Sequence, residues 1–210
     1  MPNWCANFIT FYSDSKEDNK KIYAFNKKLK KLYDKNDKLS AVLEGYGLNP
    51  DNYSCRGTIT NLEEPDPTYT FFEVQTETAW GPTVEMWDAI LGKYPGVQCV
   101  FVAEEPGCEY YINTDNTGRF YDYRYKIEIG YDENIESNEL NKIGFGERFV
   151  DNCSDINEYL TSKKELFAFY GKLVGRKFVS KDQVEDFYTA LLMISGDSYY
   201  SGLYEYQPYY

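Results

Sequence analysis

Hydrophobic and polar positions recur along this chain regularly enough to predict most of an α+β protein. Trp4 to Tyr12 is rich in aromatic and β-branched residues and predicts a strand. Ser13, Asp14 and Ser15 follow as candidate caps. Ile22, Phe25, Leu29, Leu32 and Tyr33 then fall at helical spacing, which predicts an amphipathic helix over Lys16 to Asp34. A short helical turn is expected at Leu39 to Leu43, weak strand character from Cys55 to Leu62, and a turn at Pro65 and Pro67. From Tyr69 to Thr78, the residues Phe72, Val74 and Thr76 alternate with Glu73, Gln75 and Glu77, the period of a half-buried strand. Pro82 suits the first position of a helix from Thr83 to Tyr94 that turns Val84, Trp87, Ile90, Leu91 and Tyr94 inward. Pro95-Gly96 stops it, and the apolar run Val97 to Ala103 predicts a central strand.

Further on, Glu109 to Thr114 and Tyr121 to Gly130 read as the two arms of a hairpin around Asp115-Asn116-Thr117-Gly118. Tyr121, Tyr123, Tyr125, Ile127 and Ile129 would share one face of its second arm. After Tyr131 acidity rises and periodicity fades until about Ser162. Helices are then expected over Lys163 to Val174 and Ser180 to Ser195, the second opening on a capping-box pattern and carrying Val184, Phe187, Tyr188, Leu191 and Leu192 as a stripe. The tail from Ser198 holds six of the 22 tyrosines and predicts no element. The succession of elements over residues 1–130 is that of a ferredoxin-like α+β domain, an antiparallel sheet with helices packed on one face. Residues 131–210 would form a mixed, mainly α-helical C-terminal extension packed on it.

Charge changes this picture in one place. The net charge is −12, yet Lys16 to Lys38 holds nine lysines against four acids. The helical period places these lysines on solvated faces, and the acidic remainder argues against sequence-independent nucleic-acid binding. Histidine is absent, which removes imidazole acid–base chemistry and histidine-ligated metals. The five cysteines form no C-x-x-C and read as free cytosolic thiols. No signal peptide and no membrane span are expected.

Two short motifs remain. The opening Met1-Pro2-Asn3-Trp4-Cys5-x-Asn7 and the run Glu77-Thr78-Ala79-Trp80-Gly81-Pro82 carry two tryptophans, two amides and a carboxylate. Physically, they read as a structural lock between the chain start and a strand–helix corner, with Asn3, Asn7 and Glu77 as acceptors for the indole N–H groups of Trp4 and Trp80. A ligand pocket of Trp4, Trp80 and Glu77 is the functional alternative. Both motifs resemble the YubB-type ferredoxin-like-domain family of plasmid and bacteriophage proteins. The likeness covers few residues, departs from the family at Thr83, where a second proline is common, and does not extend through Tyr33 to Thr68. It implies a mobile-element origin, a bacterial cytoplasm, and no established catalytic residues.

Other chemistry is excluded by pattern. Asp132-Glu133-Asn134-Ile135-Glu136-Ser137 lacks the glycine of a calcium loop, and Asn113-x-Asp115-x-Thr117-Gly118 lacks its closing glutamate, so both read as turns. Glu104 and Glu105 are adjacent on a strand and point to opposite faces, which is no catalytic dyad. No cofactor and no enzymatic activity are expected. The favoured function is a non-enzymatic module that binds a host protein, including a basic nucleic-acid enzyme such as a defence nuclease, by acidic mimicry of nucleic acid. Its surface would be Glu104, Glu105, Glu109, Asp115, Asp122, Asp132, Glu133, Glu136 and Glu139. The alternative is nucleic-acid binding through Tyr121, Tyr123 and Tyr125 beside the Lys16–Lys38 helix.

Overall fold

A computed structural model describes residues 3–108, 110–129, 156–175, 180–186 and 201–208. The chain forms two compact units, Met1–Tyr121 with Gln207–Tyr210, and Asp122–Tyr206. Both mix helices with antiparallel strands. No helix among the described residues is long and apolar enough to cross a membrane.

The first unit runs β1 (Trp4–Tyr12), α1 (Asn19–Tyr33), α2 (Leu39–Gly45), β2 (Gly57–Leu62), β3 (Phe71–Ala79), α3 (Val84–Leu91), β4 (Gln98–Glu105) and β5 (Tyr110–Asn113). Its five strands lie in the order β2-β3-β1-β4-β5, with every neighbouring pair antiparallel. Both β1 and β4 are therefore interior strands. Alternation sorts β1 into two faces. Cys5, Asn7, Ile9 and Phe11 are buried on one, where Phe11 meets Phe25 of α1, Phe72 of β3 and Trp87 of α3 at ring-centroid distances of 4.9, 5.2 and 5.2 Å. Each such ring contributes about 1.5–3 kcal/mol by burial.

The other face of β1 is covered at one end by the segment after β5. Tyr121 shares a 2.8 Å hydrogen bond with the Thr10 hydroxyl, and Phe120 lies 5.0 Å from Tyr12 and 5.4 Å from Phe71. Tyr121 is thus buried in the first unit and is not an arm of a hairpin with β5.

The expected hairpin does not form because its two arms join different sheets. In the second unit β6 (Tyr125–Ile129) is the centre of a three-stranded antiparallel sheet, flanked by β7 (Ile156–Leu160) and β8 (Ser201–Glu205). The C-terminal region accordingly carries a sheet of its own, and part of the tyrosine-rich tail is a strand. Helix α4 (Lys163–Val174) starts at Ser162, whose hydroxyl accepts from the Glu165 N–H, and ends at Gly175 with φ 68°. Residues 181–186 are helical, with Val184 buried. Phe187, Tyr188, Leu191 and Leu192, expected to continue that stripe, lie outside the described residues.

Candidate functional site

The two sequence motifs meet because β1 pairs with β3 in a register that sets Trp4 opposite Ala79 and Asn7 opposite Thr76. The corner between β3 and α3 is then fastened from below. Asn7 is 2% exposed; its amide donates to the Thr78 hydroxyl at 2.8 Å and to the Cys5 carbonyl at 3.1 Å. The Thr78 hydroxyl passes the chain on, donating to the Gly81 carbonyl at 2.7 Å. Main-chain bonds close the corner from its sides: Trp80 N–H donates to the Asn3 carbonyl and Ala79 N–H to the Arg56 carbonyl, both at 2.9 Å. Thr83 is the N-cap of α3, so Pro82 precedes the helix instead of opening it.

Trp80 sits at φ 73°, the single non-glycine residue with positive φ among those described. For a bulky L-residue that conformation costs about 1–2 kcal/mol. Strain of this kind persists where surrounding bonds over-determine the backbone, as Asn3, Thr78 and Gly81 do here. Its outcome is exposure. Trp80 is 60% and Trp4 49% exposed, the two most exposed large apolar side chains described.

The expected lock therefore has different parts. Neither indole N–H donates to Asn3, Asn7 or Glu77, because half-exposed indoles reach solvent and need no buried acceptor. The main chain and the Asn7–Thr78 pair tie the corner together. Glu77 is exposed, in register with Ala6 and Thr58. Asn3 is half-buried and donates its amide to Cys108 Sγ at 3.2 Å.

Next to Trp4 lies a groove of about 560 Å³ lined also by Lys38, Ser40, Pro50, Tyr53, Arg56 and Thr58. It runs beside β2, the edge strand, where Lys38 bridges Thr58 and Ile59 N–H donates to the Asp37 carbonyl at 2.8 Å. Asn49 shapes the facing loop by accepting from the Asp51 N–H. Gly57 has no room for a side chain, since a Cβ there would collide with the Glu77 carbonyl. Tyr53 and Arg56 were not singled out as site residues by the sequence, and Lys38 entered only as the end of the lysine-rich segment. Lys38 stands five residues beyond the end of α1, and that offset was the available signal that it leaves the solvated helix.

The proposed acidic surface is dispersed by the fold. Glu104 and Glu105 are buried, at 7% and 2% exposed, on the interior strand β4. Glu105 accepts from the Gly107 N–H at 3.0 Å. Asp115 is buried as well, and its two oxygens accept from the main-chain N–H groups of Thr117, Gly118, Phe120 and Tyr121 and from the Thr117 hydroxyl. Burial pushes the Asp115 pKa up, but those hydrogen bonds together hold it well below the usual carboxylate range. Asp122 is exposed. Glu109, Asp132, Glu133, Glu136 and Glu139 lie outside the described residues.

The tyrosine platform is corrected in the same way. Tyr121 and Tyr125 are buried, and Tyr123 packs its ring against Tyr159 and Tyr206 at 4.8 and 5.3 Å. Three lysines of α1 find partners within the chain: Lys21 pairs with Asp18, Lys30 with Asp34 and Glu64, and Lys28 lies over the Tyr46 ring.

Thiol chemistry is disfavoured at the cysteines of the first unit. Burial pushes Cys5 and Cys99 up to about 12, so little thiolate exists at neutral pH. A hydrogen bond to Glu105 raises Cys108, against the opposing Asn3 amide. No group of three or more His, Cys, Asp or Glu side chains placed to hold a metal occurs among the described residues. Compared with family models, curated proteins and solved structures, the chain matches none of them.

Proposed function

We propose that this chain is a non-catalytic protein-binding module of mobile-element type that acts in the cytoplasm of a bacterial host through its Trp4–Trp80 corner. One observation carries the reading: the fold holds Trp80 in a strained conformation that leaves its indole in solvent. Tryptophan supplies large, rigid contact area and is enriched at binding hot spots, where its loss weakens complexes by about 2 kcal/mol or more. A ferredoxin-like reading of the first unit is supported by the succession β1-α1-α2-β2-β3-α3-β4 with strand order β2-β3-β1-β4, to which α2 and the edge strand β5 are additions.

Acidic mimicry is left with Asp122 among the described members of its surface, so the indole corner, not the carboxylates, is the contact we assign to the host protein. The test is capture from a nuclease-treated bacterial lysate by wild type, Trp4→Ala and Trp80→Ala, with circular dichroism to establish equal folding. A protein retained near stoichiometry by wild type and lost by both variants supports the reading. Equal capture by all three removes the corner from it.

A further inference from the structure

The groove beside β2 has a chemistry that the protein-contact reading does not use. Its volume of about 560 Å³ falls among small-ligand sites, which span roughly 300–1,000 Å³. Two cations line it, Lys38 and Arg56, and neither has a carboxylate within 4.0 Å among the described residues. In a chain of net charge −12, two unpaired cations facing one cleft with Asp51 as its one acidic lining residue make a local site for an anion. Aromatic surface stands in the same lining, from half-exposed Trp4 and from Tyr53, whose inner side packs on the core. Flat rings stack on such side chains with little regard to identity, and guanidinium and ammonium groups hold phosphate.

We propose that this groove binds a free mononucleotide, its base against Trp4 or Tyr53 and its phosphate held by Lys38 and Arg56. The site shares the Trp4 side chain and the Arg56 main chain with the protein-binding corner and goes beyond that reading. The full chain is titrated calorimetrically with AMP, adenosine and inorganic phosphate in separate arms. AMP is expected to bind saturably, with adenosine and phosphate each at least about tenfold weaker, since each lacks half of the contact. The exposed double substitution Lys38→Gln/Arg56→Gln is expected to weaken AMP at least about tenfold while leaving adenosine unchanged.

Trp80→Gly leaves AMP binding intact, because Trp80 does not line the groove. Absence of AMP binding, or equal affinity of the double variant and wild type, overturns the proposal. A 5′-phosphorylated octanucleotide that binds more tightly than AMP overturns the assignment to a free nucleotide. Partner capture that depends on Trp80 while AMP fails sinks the groove alone, and the reverse outcome sinks the corner alone.

Discussion

At the scale of single residues, Asn7 and Trp80 have opposite relations to stability. Asn7 is buried and fully engaged, and its amide is the first link of the chain to Thr78 and Gly81. Replacing it with alanine removes the donor to the Thr78 hydroxyl oxygen and leaves that buried oxygen with only its bond to Gly81; chemical denaturation is expected to show a loss of about 1–3 kcal/mol. Trp80→Gly removes left-handed strain but adds unfolded-state entropy, two effects of about 1 kcal/mol that oppose each other. Its unfolding free energy should stay within about 1 kcal/mol of wild type, and a loss of several would mean that the indole is structural after all. Asp115 supplies a pH signature. Its folded pKa is depressed, so its contribution is complete above the unfolded value near 4 and is lost as pH falls through the lower folded value. Stability measured from pH 7 down to pH 2 should fall across that acid range, with a shallower slope in Asp115→Asn.

At the scale of elements, the β2 edge and the β5 edge are the places where substitutions should be felt. Gly57→Ala drives a methyl group into the Glu77 carbonyl, so the β2–β3 pairing should weaken by about 1–3 kcal/mol, read as faster exchange of the Glu63 and Ala79 amides, which donate to the Glu73 and Arg56 carbonyls across that pair. At the other edge the chain returns, and Asn113 N–H donates to the Gln207 carbonyl at 3.0 Å. Deleting residues 207–210 should speed exchange of the Asn113 amide while the β1 amides keep their protection.

Which elements were legible follows from what periodicity encodes. Trp4–Tyr12 and Lys163–Val174 were readable to the residue, because each carries its own alternation or stripe and a cap. The partner of β6 was not readable. Alternation at Tyr121–Ile129 says that residues face two ways, but not which strands lie alongside. Asp115 decided the matter by folding residues 115–121 around its carboxylate, which turned Tyr121 back to Thr10. The candidate site was half legible. Both motifs were visible and their meeting followed from strand pairing, yet composition gave Trp4 and Trp80 a buried role. The exposure of Trp80 goes with its positive φ, for which a tryptophan offers no signal in sequence.

At the scale of the whole molecule, charge and contact surface are separable. The chain is acidic overall, but the corner assigned to the partner is apolar, and apolar contact is little affected by salt, whereas mimicry of nucleic acid weakens steeply as salt screens it. Raising ionic strength from about 0.1 to 1 M shortens the screening length from about 10 to 3 Å, and the captured complex should survive that change. The measurement that bears most directly on the account is the affinity of the captured partner for wild type and for Trp80→Gly, determined by calorimetry at matched folded fractions. Removing the indole is expected to cost about thirtyfold or more in affinity, as for a hot-spot tryptophan. Equal affinities in two equally folded proteins would contradict it and return Trp80 to an exposed side chain without a role in binding.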